Sequence, residues 1–296
     1  MTIVQDFSYQ RARDVADALA LLKSHGPHAR LLAGGTDLIG WLNEGQAQAT
    51  ALIDIKGIKA LKAVVLKGKT LTIGALATFT DILESGAVVT KFPLIAEAAH
   101  KVASVGIRNR ATLVGNICSA VPCCDAGPVL IAYGASVVLQ AAGGKRRKVP
   151  VEHFFKAPRK TVVAAGEMVV AVEVPDAGKH GACYVKLGRY RGEDLAQASV
   201  AVVALPGQTY RVAFGSVGPT PLRGVKTEAV LRGRTLDQAV VAEACGVAQT
   251  EIAPISDIRA SKEYRRHMVG VMLARGLDAA VARMNGDGPA LHAELL

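Results

Sequence analysis

Residues 14–55 constrain the fold more than any other part of the chain. In DVADALALLKS (14–24), Val15, Ala18, Leu19 and Leu22 fall on one helical face. HGPH then stops the helix, with Gly26 and Pro27 as terminators. ARLLA (29–33) reads as a short buried strand running into GGTD (34–37). LIGWLNEG turns helical again, and ALIDI (51–55) is a second buried strand. Helix, strand, glycine turn, helix, strand is an α/β order.

From residue 61 the texture changes. LKAVVLKGKTLTIGA reads as two strands joined near Gly68, and TFTDILES (78–85) and FPLIAEAAHKVAS (92–104) read as helices. Thr78 and Thr80 suit helix capping. ASVVLQAAGGKRRKVPV and EMVVAVEVP (167–175) are strands, and DAGKHGA (176–182) is a linker. CYVKLGRY, ASVAVVALPG and TYRVAFGSVG predict an antiparallel meander turning at Pro206-Gly207. From 226 onward the chain is mainly helical. The expected class is α+β. A mixed segment 1–58 and a second one 59–176 precede a C-terminal domain, 177–296, with a three-stranded antiparallel sheet and a helical bundle.

Composition excludes several function classes. Half of the 296 residues are apolar, enough for one large core or two to three modest ones. No apolar run approaches the roughly 18 residues of a membrane span. MTIVQDFSYQRARDVADALA lacks a basic segment followed by an apolar one, so no secretory signal is read and a cytoplasmic location is expected. The net charge of +10 raises nucleic-acid binding. The dense basic cluster GGKRRKVP (143–150), however, reads as a solvated hairpin tip, and aromatics are too few for base stacking. No nucleic-acid partner is expected. The five cysteines (Cys118, Cys123, Cys124, Cys183 and Cys245) include no CxxC pair, so a metal site is not expected and reduced thiols are.

Two stretches look built to hold something. LLAGGTDL ends a buried strand in Ala33-Gly34-Gly35 before Thr36-Asp37. Its N–H groups can converge on a phosphate. Equally, Thr36 or Asp37 can be an ordinary helix cap. RNRATLVGNICSAVPCCDAGPVL (108–130) combines Thr112, Gly115, Asn116 and Ser119 between two stiffening prolines. Small residues admit a flat or phosphorylated ligand, and the polar ones can donate to it. Asp125 suits a ribose hydroxyl pair, or caps the helix AGPVLIAYG, or does both. Neither GxGxxG nor GxxxxGK[ST] occurs in these stretches.

AGGTDL, TIGALATFTDI, IRNRATLVGNICSAVPCCDAGPVL and YVKLGRYRGEDLAQASVAV, in that order, resemble the FAD-binding medium subunit of the molybdenum hydroxylases, the carbon monoxide dehydrogenase and xanthine dehydrogenase family. AFGSVGPTPLR and SKEYRRHMVGVMLAR are similar to its C-terminal domain, so the resemblance spans nearly the whole chain. It implies a two-subdomain FAD-binding fold of the p-cresol methylhydroxylase/vanillyl-alcohol oxidase type, followed by an antiparallel sheet plus helices.

It also implies a cofactor site. Leu32, Ala33, Gly34, Gly35, Thr36, Asp37 and Leu38 would hold FAD from the first loop. Ala111, Thr112, Gly115, Asn116 and Cys118 would hold it from the second. Ser119 and Asp125 match contacts to the phosphates or the ADP sugar, Val169 belongs to the same cofactor set, and Lys186 matches a lysine near the flavin ring; its bland alternative is a strand-end surface lysine. A side chain at Gly34 or Gly115 is expected to fill the pyrophosphate's space. The family has Gly-Gly-Asn where this chain has Val114-Gly115-Asn116, and Val114 cannot adopt positive φ cheaply. No catalytic side chain and no metal ligand is assigned.

The implied partners are an iron–sulfur small subunit with [2Fe–2S] clusters and a large subunit with the molybdopterin cofactor, in a dimer of heterotrimers. Electrons would run from the clusters through FAD to an external acceptor. The alternatives are a stand-alone flavin oxidase and a flavin-free scaffold subunit.

Overall fold

The computed structural model describes residues 6–190 and 194–296, so Met1–Gln5 and the RGE of YVKLGRYRGEDLAQASVAV lie outside it. A parallel sheet comes first. Strands β1 (Ser8–Arg11), β2 (Ala29–Leu32) and β3 (Ala51–Asp54) pair in the order β1-β3-β2. The central β3 is buried along its whole length, which is why ALIDI is continuously apolar until Asp54. That carboxylate is not left alone: the Tyr9 hydroxyl donates to it, and Lys56 Nζ lies 3.1 Å away. Helix α1 (Val15–His25) starts where Asp14 accepts the Asp17 N–H, buries Ala18 and Leu19, and ends at Gly26 with φ 74°. Helix α2 (Leu38–Asn43) follows the glycine turn.

The second sheet contains β4 (Val64–Lys67), β5 (Thr70–Gly74), β6 (Ser136–Ala141), β7 (Arg146–Pro150) and β10 (Glu167–Pro175), ordered β4-β5-β10-β6-β7 and antiparallel throughout. A separate small ladder joins β8 (Phe155–Ala157) to β9 (Lys160–Thr161). Between β5 and β6 lie α3 (Phe79–Glu84), α4 (Gly86–Lys91), α5 (Pro93–His100), α6 (Val105–Arg108), α7 (Leu113–Cys118) and α8 (Ala126–Ala132). Thr78 caps α3 in a reciprocal box with Asp81. The basic cluster is not a hairpin tip. Residues 146–150 form the edge strand β7, and the tip lies at 142–144. Its charges are paired across the sheet: Arg147 with Glu167, whose carboxyl that hydrogen bond holds down to about 2, and Lys148 with Glu173. Charges on an edge strand also discourage pairing with another sheet.

The meander forms β11 (Gly181–Leu187), β12 (Ala198–Leu205) and β13 (Thr209–Gly215), and a two-residue strand β14 (Leu222–Arg223) adds a fourth strand where three were expected. Helices α9 (Val225–Leu231), α10 (Gln238–Glu251) and α11 (Lys262–Asn285) complete the chain. Both faces of this sheet are dry. Ala182, Tyr184, Ala201, Val203 and Ala213 join the large core of the preceding segments. Cys183, Val185, Val200, Val202, Val212 and Phe214 join a second core with α10 and α11. The period of two along β11 therefore sends Tyr184 and Lys186 toward the first core.

Glu228, 3% exposed, accepts the Val212 N–H and a two-pronged bond from Arg223, fastening α9 to the sheet. Glu228→Ala strands a buried amide and an arginine. It is expected to lower stability by about 2 kcal/mol, measured by denaturant unfolding.

Candidate functional site

A cavity of about 610 Å³ opens where β2 and β3 end. Ligands in open α/β sheets bind in such a crevice beyond the carboxyl ends of the strands. Of the residues expected there, Ala33, Gly34, Gly35, Thr36, Asp37 and Leu38 line one side. Ala111, Thr112, Gly115, Asn116, Cys118 and Ser119 line another, and Asp125, Val169 and Lys186 reach the same space. Leu32 does not: it is 8% exposed, and its side chain lies against the turn, where a Cβ on Gly35 would stand 3.1 Å from its Cδ1.

The two loops touch backbone to backbone. A Cβ on Gly34 would lie 2.1 Å from the Arg110 carbonyl oxygen. Glycine there is thus a condition for the loops to meet, and the reason differs from the expected one: the side chain would strike the other loop. Gly35 has φ 79°, which turns the chain back along the cavity. A polar bond reinforces the crossing, since the Ser119 hydroxyl donates to Asp37. Among the described residues, nothing accepts a hydrogen bond from the backbone N–H groups of Gly34, Gly35, Thr36, Asp37 or Leu38. Consecutive free N–H groups in a turn form a nest suited to an anion. Asp37 makes no side-chain cap of α2, so that alternative is not realised by it.

The second loop is rigid. Thr112 Oγ1 accepts the Gly115 N–H at 2.9 Å and caps α7. Val114 and Gly115 therefore lie inside a helix. Val114 is absent from the described residues with positive φ, which removes the strain anticipated for it. A Cβ on Gly115 would stand 2.8 Å from Thr112 Oγ1, so a side chain there would disturb the cap. The loop is also pinned from below, where Phe79 N–H donates to the Ala111 carbonyl and Leu113 N–H to Ala77.

Asp125 is not the cap of α8. Its carboxylate makes no capping bond, and Asn116 Oδ1 accepts the Ala126 N–H instead. Asp125 accepts from the Tyr184 hydroxyl at 2.7 Å and from Lys186 Nζ at 3.0 Å. Burial pushes its carboxyl above the ordinary carboxylate range, against the opposing pull of Lys186 and Tyr184. Lys186 is no surface lysine: its side chain is 7% exposed, and it also donates to the Lys101 carbonyl at 2.9 Å. Tyr184 was not singled out in the sequence. Its place two residues before Lys186 on an apolar strand is the signal that could have found it.

Val169 sits beside a bulge. The β10–β6 ladder shifts register between Val169 and Ala171, and the Val170 carbonyl accepts from Ala75 instead. Trp41 adds an aromatic wall, with the Arg159 guanidinium 4.8 Å from its ring centroid. Cys118 faces the cavity, whereas Cys124 and Cys183 are buried and burial raises both thiols, Cys183 to about 12. Buried thiols held neutral are small apolar fillers. Among the described residues, no group of three or more His, Cys, Asp or Glu could hold a metal ion, and no helix is long and apolar enough to cross a membrane.

Known proteins match this arrangement. The family described as the FAD binding domain in molybdopterin dehydrogenase matches residues 5–177. The CO dehydrogenase flavoprotein C-terminal domain matches residues 182–280. The carbon monoxide dehydrogenase medium chain of Hydrogenophaga pseudoflava is 35% identical, over 94% of this chain and 98% of that one. The xanthine dehydrogenase FAD-binding subunit of Escherichia coli O157:H7 is 31% identical, over 94% of this chain and 97% of its own. A solved structure of the Hydrogenophaga pseudoflava carbon monoxide dehydrogenase, lacking the Mo-pyranopterin moiety, superposes with a TM-score of 0.91 at 36% identity, covering 95% of this chain and 99% of that one. The two family descriptions account for both parts of the sequence and the relatives align over nearly its whole length, so the chain belongs to this family as an FAD-binding medium subunit of a molybdenum hydroxylase-type oxidoreductase.

Proposed function

We propose that this chain carries FAD as the electron-transfer subunit of a heterotrimeric molybdenum-containing hydroxylase or dehydrogenase. Electrons would come from [2Fe–2S] clusters on a small partner subunit and leave to an external acceptor. A large subunit with the molybdopterin cofactor would oxidise the organic substrate, and a dimer of such heterotrimers in the cytoplasm completes the reading. The relatives named as medium chains and FAD-binding subunits support it. The division into segments 1–58, 59–176 and 177–296 belongs to the same proposal.

One observation carries the cofactor assignment: the row of free N–H groups at Gly34–Leu38, facing a loop that Gly34 lets approach to contact distance. This cradle fits a diphosphate. The two loops would grip the pyrophosphate through Gly34–Leu38 and the Thr112–Ser119 stretch. Val169 and Trp41 offer apolar surface for flat rings, and Lys186 brings a cation to the same cavity. When bound, FAD supplies the junction between one-electron donors and two-electron acceptors. The protein's part is to place and orient it, keep water from it, and hold the Lys186 charge in reach.

Asp125 enters this scheme as the partner of Lys186 before it is a partner of any sugar. Both its oxygens already accept hydrogen bonds, one from Tyr184 and one from Lys186. Removing it leaves a buried ammonium unpaired, so the variant Asp125→Ala acts on the fold as well as on the ligand.

The purified chain is expected to bind FAD, read by quenching of flavin fluorescence during titration. A correctly folded protein that ignores FAD would refute the assignment. Gly34→Val is expected to bring uptake below detection, because the loops cannot close; normal flavin content in that variant would contradict the crossed-loop cradle. Asp125→Ala is expected to lower stability of the FAD-free protein by about 3 kcal/mol. Asp125→Asn, which still accepts from Tyr184, is expected to lose less. Equal Tm values for the two variants would show that the bond from Tyr184 contributes nothing and that the Lys186 pairing is all that Asp125 supplies.

A further inference from the structure

We infer that Glu97 and Arg283 are positioning residues for the flavin cleft, setting the place of the Asp125–Lys186 pair through strand β11; the inference rests on the flavin reading above. Neither residue lines the cavity. Glu97 lies on α5 with 0% exposure, and Arg283 lies near the end of α11. Their side chains meet in two parallel bonds, Arg283 Nη2 to Glu97 Oε1 at 3.0 Å and Nη1 to Oε2 at 3.2 Å.

The pair is spent on the free edge of β11. Among the described residues, that strand has a neighbouring strand on one side only, β12. On the other side the Tyr184 N–H donates to Glu97 Oε2 at 2.6 Å, and the Ala182 carbonyl accepts from Arg283 Nη1 at 2.7 Å. Residues i and i+2 of a strand present their edge groups the same way. The ion pair thus takes the place of a missing neighbouring strand for one donor and one acceptor.

The spacing then carries this hold to the cleft. Glu97 on α5 and Lys101, the residue that caps its C-terminus, are four residues apart, about 6 Å along the helix axis. Tyr184 and Lys186 are two apart on β11, also about 6–7 Å. Helix and strand therefore match at two points, Glu97 to the Tyr184 amide and the Lys101 carbonyl to Lys186 Nζ. Tyr184 and Lys186 both end on Asp125 in the cavity wall. A shift of β11 along α5 would pull both from Asp125 at once. Arg283 also donates to the carbonyls of Pro289 and Ala290, so the C-terminal segment is tied to the same point.

The test compares wild type, Arg283→Met and the double variant Glu97→Met/Arg283→Met, in FAD titration by flavin fluorescence and in thermal unfolding of FAD-free protein. Arg283→Met strands a buried carboxylate and loses stability whatever the pair's role. The double variant removes both charges and regains part of the lost Tm, because no buried charge is left unpaired, although the Tyr184 N–H and the Ala182 carbonyl lose their partners. It still leaves the β11 edge unheld. The expected result is a Tm between those of wild type and Arg283→Met, with FAD binding weakened about tenfold, a coupling of ordinary size. Wild-type affinity in the double variant would overturn the inference. A second measurement needs no variant: saturation with FAD is expected to slow hydrogen exchange at the Tyr184 amide, since coupling between two sites is reciprocal. Unchanged exchange there would overturn the inference even if neither variant folds. Failure of wild-type protein to bind FAD would overturn the flavin reading and this inference together, whereas normal wild-type binding with undiminished variant binding overturns this inference alone.

Discussion

The contact on which the cleft depends is the crossing of two stretches of main chain, Gly34 over Arg110–Ala111. The stretches are far apart in sequence and belong to different sheets' surroundings. One leaves the parallel sheet at the end of β2, and the other lies among the helices between β5 and β6. Close-packed interiors leave no slack at such a point. A methyl group at Gly34 would need more than an ångström of separation. The N–H groups of Gly34–Leu38 would then face open space instead of a second wall. The Ser119–Asp37 bond adds direction to the crossing, but the absence of a side chain makes it possible.

A second constraint comes from the C-terminal sheet. Antiparallel sheets commonly leave one face wet. Here α11 and α10 cover one face, and the large core around α5 and α8 covers the other. A sheet dry on both sides is fixed relative to both of its neighbours. Lys186, carried on its β11 strand, is therefore placed against Asp125 by the same packing that joins the two family-matched parts of the chain. The cleft has a third wall because the C-terminal segment has no freedom to leave it.

Most of the secondary structure was legible in the sequence for local reasons. Periodicity marked α1, and the glycines at 26, 35 and 68 punctuated the runs where φ is positive. The paired glycine turn and the Thr112–Ser119 loop were legible as cradle candidates because their small and polar residues interrupt apolar runs. What was not legible depends on contacts between distant residues. Asp125 sits where a helix cap belongs, and only the position of β11, some 60 residues later in the chain, reveals that its oxygens go to Tyr184 and Lys186. GGKRRKVP looked like a solvated tip because its charges have no local partner. Their partners, Glu167 and Glu173, lie on a strand that returns only after two further elements. Val114 departs from the family's Gly-Gly-Asn, yet Thr112 capping at Gly115 puts the whole of Leu113–Cys118 in a helix, where that position needs no glycine.

Glu97 carries the mark of a distant partner in its own helix. Its helix is PLIAEAAH, and Leu94, Ile95, Ala96, Ala98 and Ala99 are all buried with it. A helix that is apolar on every side is an interior helix. A carboxylate inside one is costly unless another group answers it. The segment therefore announces a buried partner without naming it. The candidates are basic residues in equally apolar surroundings, and VARMNG near the end of α11 holds one at Arg283. The same logic applies to Lys186 within GACYVKL, a strand whose other residues are apolar apart from Tyr184. Isolated charges in apolar elements, more than the polar loops, point to the long-range bonds that hold the cleft's third wall in place.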